Sequence, residues 1–186
     1  MTKESCLGQN GRSVPAEPKA RQGKANLVAM TLADFTEPKL LVPRLLSANQ
    51  NGAIMELSKR LHRAGRIEDA EAFCQAVLER ESLLHPVVEQ GLAFPHARGR
   101  AVHRLSFAVG LSAAGIRWDS AKGMIVHAVV LLAVPLSEAQ IYLALLGTLS
   151  RFTQDETAFA SFKQSAQPEK MLAILNSFPL PESRSL

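Results

Sequence analysis

From Leu40 onward the apolar positions fall into blocks of two different periods, separated by Gly, Pro, Asn and Ser. Leu40-Leu41-Val42-Pro43-Arg44-Leu45-Leu46 has an extended pattern, and Pro43, with no N–H to give a ladder, places it at a sheet edge. Ser47, Asn49, Asn51 and Gly52 then supply turn and helix-start chemistry. Ile54, Leu57, Leu61 and Ala64 recur at helical spacing and Gly65 stops them, which predicts a helix over about 52–64. A second helix is predicted over about 68–81, opening on Glu68 and Asp69 and burying Ala70, Phe73, Cys74 and Val77. After a loop containing Pro86 come a short strand at 91–94 and longer strands at 105–112 and 124–134. The last is nearly continuous in Val, Ile, Leu and Ala, as a strand covered on both faces is. Ile141, Leu143, Leu145, Leu146, Leu149 and Phe152 mark an apolar helix beginning near Glu138. Shorter helices follow at about 156–163 and 168–177, and Pro179 and Pro181 close the pattern. Strands in the middle and helices at both ends predict a layered α/β/α sandwich, a central mixed β-sheet flanked by helices.

Residues 1–30 show neither period. They are rich in Gly, Ser, Lys, Gln and Pro and hold too little apolar surface to offset their ordering entropy. A disordered basic extension is therefore expected ahead of one domain at 31–180, with a short tail at 181–186. A chain of 186 residues, 47% hydrophobic and 20% charged, has room for one domain with a real core. The formal net charge of +4 belongs mostly to the extension, where Lys3, Arg12, Lys19, Arg21 and Lys24 face only Glu4 and Glu17. The body lacks a Lys/Arg stripe with interleaved aromatics, so nucleic acid is not an expected partner. Its longest apolar run, 124–135, is interrupted by His127 and falls far short of the ~20 residues a membrane-spanning helix needs. With no compact apolar leader either, a cytoplasmic location without membrane insertion is expected. Cys6 and Cys74 make no disulfide framework, and no His-Glu-x-x-His or cysteine pair offers metal-ligand spacing, so neither metal nor cofactor is expected.

The chemistry concentrates in Gly91-Leu92-Ala93-Phe94-Pro95-His96-Ala97-Arg98. A small apolar strand there runs into a proline that fixes the local backbone and then projects an imidazole. A histidine that carries a phosphoryl group needs a neutral ring nitrogen as nucleophile, a neighbour that fixes its tautomer, and positive charge for the phosphate oxygens. Arg98, two residues on, and Arg80, at the end of the second helix, are the candidate phosphate partners, because guanidinium offers a planar fork of donors. From spacing alone, a surface-loop histidine beside an ordinary arginine is the readier reading of His96.

The segment 91–98 resembles the Gly-x-Ala-x-Pro-His-Ala/Gly-Arg motif of enzyme IIA domains of the fructose/mannitol and nitrogen-regulatory type, which belong to the phosphoenolpyruvate-dependent phosphotransferase system. The resemblance runs over roughly 31–178 and includes Arg80-Glu81, whose arginine lies sixteen residues before the histidine as that of the family's Arg-Glu pair does. It implies that His96 accepts a phosphoryl group from a histidine-containing phosphocarrier protein and passes it to a cysteine of a IIB partner or uses it as a regulatory signal. Two positions depart from the family. Leu84-His85-Pro86 replaces the usual Gly-Ser-Thr, and Tyr142-Leu143 stands where a second histidine, in a His-Leu pair, usually assists at the site. Tyrosine can donate a hydrogen bond to imidazole or phosphate but brings no positive charge near neutral pH. The candidate site is thus His96, Arg80, Arg98 and Tyr142. The rival expectation is a regulatory interaction module that keeps the IIA fold without the transfer.

Other histidines have plainer readings. His127 is expected as a core histidine satisfied within the buried strand, His62 and His85 as helix-surface and loop residues, and His103 as a loop residue within possible reach of His96. Gly110, Gly115 and Gly123 form no phosphate-loop pattern, and Trp118 and Asp119 are expected in a connecting turn and packing contact between strands.

Overall fold

The computed structural model describes residues 30–83, 88–89, 91–119 and 123–181. The expected extension, most of the C-terminal tail and the Leu84-His85-Pro86 loop therefore lie outside the described residues. Among those described, the elements in order are β1 (Leu41–Val42), α1 (Gln50–Arg63), α2 (Ala70–Leu83), β2 (Val88–Glu89), β3 (Leu92–Ala93), β4 (His96–Gly99), β5 (Ser106–Asp119), β6 (Met124–Pro135), α3 (Ala139–Gln154), α4 (Glu156–Gln164) and α5 (Pro168–Leu175). Two short 3-10 turns, Leu32–Phe35 and Pro38–Leu40, precede β1.

The sheet is mixed and ordered β1-β5-β6-β3-β2, with β4 also paired to β6. β5 and β6 form a long antiparallel hairpin, while β1 runs parallel to β5, β3 and β4 run parallel to β6, and β2 is antiparallel to β3. The run containing Pro43 is indeed at an edge, but only Leu41 and Val42 make the ladder. Two clusters of buried side chains cover the two faces. Ile54, Leu57 and Leu61 of α1 and Phe73, Cys74 and Val77 of α2 pack with Val129, Leu131 and Ala133 of β6 on one side. Leu145, Leu149 and Phe152 of α3, with Phe162 and Met171, pack on Val130, Leu132 and Val134 on the other. Burial of alternate β6 residues on opposite faces explains its unbroken apolar sequence.

Local chemistry sets the helix limits. The Asn49 side chain accepts from the Gly52 N–H at 2.9 Å and so caps α1. Asp69 accepts from the Ala72 N–H at 2.6 Å, which starts α2 later than the Glu68 expected from charge alone. Gly65 leaves α1 at φ +66, a left-handed conformation that favours glycine. The two ends of the described fold lie together: Leu32 N donates to Phe178 O at 3.0 Å and Leu180 N to Met30 O at 2.7 Å.

The largest departure from the sequence pattern is β5, expected to end at Ser112 and found to continue to Asp119. Its register with β6 jumps from Leu111↔Ala128 to Ile116↔Val126, so four residues bulge opposite His127. That bulge, made of Ser-Ala-Ala-Gly with Gly115 at φ +82, breaks the two-residue alternation that would have extended the strand. Trp118 consequently lies within the strand and is 2% exposed, where a turn was expected. His127 is exposed instead of buried, its Nδ1 lying 3.0 Å from Ser112 O beside the bulge.

Within β5, Gly110 leaves room for the Leu45 side chain, whose Cδ1 would stand 2.5 Å from an added Cβ. Gly110→Ala is expected to lower stability by about 1–3 kcal/mol through overpacking, read from urea unfolding midpoints. An unchanged midpoint would mean that Leu45 swings aside without loss.

Candidate functional site

β3 and β4 are one line of chain laid along β6: Ala93 pairs with Val129 and His96 with Leu132, an identical offset. The break between them falls at Phe94–Pro95, because proline has no N–H, yet the Pro95 carbonyl still accepts from Leu132 N at 3.0 Å. Alternation along this line then decides what faces where. Ala93 and Ala97 point into the cluster under α1 and α2, whereas Leu92 and Phe94 pack on the side of α3. His96 and Arg98 share that second face by parity with Phe94.

On it, His96 is half-buried and meets Tyr142 of the first turns of α3, the ring centroids lying 5.9 Å apart with the planes at 32°. His96 Nδ1 lies 3.3 Å from the Phe94 carbonyl oxygen. A carbonyl only accepts, so this contact assigns the proton to Nδ1 and leaves Nε2 with its lone pair. Burial and then the Arg80 charge hold the imidazole pKa below its ordinary value, the Phe94 hydrogen bond opposing them. The ring is therefore neutral near pH 7.

Arg80 is exposed on the last turn of α2, on the other side of the sheet. Its charge nonetheless acts on both His96 and Tyr142, across β4, which is paired to β6 alone among the described residues. Burial raises the Tyr142 phenol above its ordinary pKa, with Arg80 pulling the other way, so the hydroxyl remains a donor. The exposed Arg98 donates through Nη2 to the Leu136 carbonyl, which ties β4 to the turn opening α3. Of the four residues singled out in the sequence, His96 and Tyr142 meet and the charge of Arg80 reaches both, whereas the guanidinium of Arg98 is engaged with the Leu136 carbonyl. His103 is exposed, and its backbone N–H donates to Arg66 O at 2.9 Å.

Sequence reasoning missed one contact. Trp118 Nε1 donates to Glu81 Oε2 at 3.4 Å, beside Arg80. No periodicity could have found it, since it joins residues on α2 and β5 across a bulged strand. Among the described residues, no three His, Cys, Asp or Glu side chains stand close enough to hold a metal ion, and no helix is long and apolar enough to cross a membrane.

A mixed sheet between two helical layers, with a neutral histidine at the open edge, defines a type of domain that the comparisons identify. The family model described as "Phosphoenolpyruvate-dependent sugar phosphotransferase system, EIIA 2" matches residues 35–178, and the chain belongs to this family. It is 31% identical over 151 residues to the PTS system 2-O-alpha-mannosyl-D-glycerate-specific EIIABC component of Escherichia coli (strain K12), covering 80% of this chain and 23% of that protein. The chain therefore spans less than a quarter of that relative's length. The fold is shared with the nitrogen regulatory protein IIA-Ntr from Neisseria meningitidis at TM-score 0.68 and 20% identity, over 77% of this chain and 98% of that one. It is shared also with enzyme IIA mannitol of Escherichia coli, solved in complex with phosphorylated enzyme IIB mannitol, at TM-score 0.63 and 19% identity, over 75% and 95% of the two chains.

Because the folded-state pKa of His96 is depressed, its contribution to stability is complete above the ordinary imidazole value of 6.5 and is lost as pH falls through the lower folded value. Urea melts are expected to show stability declining as the solution is acidified from neutrality, and declining less in His96→Gln. Equal declines in the two proteins would assign the acid sensitivity to other groups.

Proposed function

We propose that this domain is a phosphoryl carrier of the phosphotransferase system, with His96 as acceptor, and the observation that carries the reading is the tautomer. With Nδ1–H committed to the Phe94 carbonyl, Nε2 is a free nucleophile on a ring kept neutral by burial and Arg80. In the forward step the bond from phosphorus to the phosphocarrier's histidine nitrogen breaks as the bond to Nε2 forms, and the Phe94 carbonyl supports the positive charge that develops on the ring. In the second step a nucleophile of the acceptor, a IIB cysteine thiolate in the transport version, attacks phosphorus and Nε2 leaves with its lone pair restored. Such a transfer asks the protein mainly for alignment and charge.

Arg80 is the cation for the phosphoryl oxygens, and the first-turn N–H groups of α3, whose Glu138 makes no side-chain cap, add a positive helix end near Tyr142. Tyr142 donates from the place the family gives to a second histidine. Arg98 holds the turn before α3 in place. Leu136 and Leu143, exposed by 46% and 66%, give apolar contact area for the phosphocarrier and for an acceptor such as the IIB protein that the mannitol IIA domain binds. The chain serves as a IIA unit that passes the phosphoryl group to a IIB transport partner, or as a regulatory unit whose phosphorylation state is the signal.

Tyr142 favours a second reading, an interaction module that keeps the fold and has lost transfer, because it removes one potential cation from the site. The two readings part on one measurement. Incubation with the phosphorylated histidine phosphocarrier followed by intact-mass and peptide mass spectrometry is expected to show one phosphoryl group on His96 and none on His96→Ala. Arg80→Gln is expected to slow the transfer by about 100-fold and Tyr142→Phe by about tenfold. An unlabelled wild-type chain, under conditions that label a working IIA domain, would establish the module instead.

A further inference from the structure

Glu81 occupies a position that the helix itself disfavours. It lies in the last turns of α2, where the macrodipole opposes negative charge, and partial burial pushes its carboxyl above the ordinary value. Two neighbours oppose that shift: the indole of Trp118, the one tryptophan of the chain, 2% exposed in β5 and donating to Glu81 Oε2, and then the charge of Arg80. An indole N–H is a donor only, and a buried one finds a partner. The pair therefore joins the C-terminal end of α2 to the β5–β6 hairpin, and β6 is the strand on which β4 and His96 are registered.

The residue preceding Glu81 is Arg80. A guanidinium at the end of an exposed, flexible side chain is useful to His96 only if the helical turn that carries it stays in place, and the last turn of a helix lacks part of its own hydrogen bonding. From this geometry we infer that Glu81 and Trp118 are positioning residues for the phosphoryl-transfer site: their hydrogen bond anchors the end of α2 to the hairpin and so sets where Arg80 stands relative to His96 and Tyr142. This rests on the phosphocarrier reading for its consequence in transfer, though not for its consequence in geometry.

The test uses the full chain and two readouts. NMR titration of the His96 ring follows its electrostatic surroundings whether or not the protein transfers phosphate, and labelling by the phosphorylated histidine phosphocarrier follows the reaction. Trp118→Phe removes the N–H while keeping an aromatic ring. It is expected to move the His96 titration upward, part of the way reached by Arg80→Gln, and to slow labelling on the order of tenfold. Glu81→Gln keeps an oxygen acceptor for the indole and is expected to remain close to wild type in both. Should Trp118→Phe fold poorly, Glu81→Leu removes the acceptor at a less buried position. It is expected to give the same upward shift, with a changed emission from the now unpartnered tryptophan. A His96 titration in Trp118→Phe or Glu81→Leu identical to wild type overturns the inference. A wild-type chain that takes no label while the titration shifts as expected overturns the phosphocarrier reading and leaves the positioning intact.

Discussion

The register of the 92–99 segment along β6 is the constraint on which the site depends. Because Leu92 through Gly99 follow β6 at one constant offset on both sides of Pro95, the parity of every side chain is fixed: Ala93 and Ala97 fill the space beneath α1 and α2, and Phe94, His96 and Arg98 face α3. A shift of one residue would bury the imidazole under α1 and α2 and turn two alanines toward Tyr142. The apolar, doubly covered β6 resists that shift, since its own alternate residues are locked into the two cores. The proline interrupts donors without interrupting the line, and its carbonyl is still paired.

Electrostatics then act on a ring whose place is already settled. Two influences, burial and Arg80, keep the imidazole neutral, and one, the Phe94 carbonyl, favours its charged form. The same carbonyl selects the tautomer, so a single backbone contact holds the proton on Nδ1 and leaves the lone pair on Nε2. Tyr142 contributes a donor without charge, which leaves Arg80 as the cation whose influence reaches both rings. Arg80 comes from the opposite helical layer, so where it stands relative to the two rings depends on how the end of α2 lies against the sheet.

Much of this architecture could be read along the chain, for identifiable reasons. Helices α1 and α2 bury the residues that their spacing indicated, because three- and four-residue apolar recurrence on a surface helix has few other meanings. β6 was visible as a continuous apolar run. β5 was legible only as far as its alternation lasted, because the bulge at Ser112–Gly115 consists of small residues whose faces no pattern can assign. The error over Trp118 follows directly: a tryptophan beyond an apparent strand end looked like a turn residue, yet it is a buried strand residue holding Glu81. His127 departs from its expectation for the complementary reason. It lies opposite the bulge, at the end of β6 where Ile125 is also exposed, ahead of the stretch that is buried from Ala128 onward.

The sequence by itself determined the class of fold and the helix faces and singled out His96 as the candidate histidine, since these rest on local periodicity, on Pro95 and on a short motif whose parts are contiguous. Only the tertiary structure decided the imidazole's facing partner, the capture of Arg98 by the Leu136 carbonyl, and the reach of Arg80 across the open edge of β4. Those depend on strand register and on layers packed from distant parts of the chain, and the spacing of residues along a sequence carries no record of which face of a sheet two helices approach.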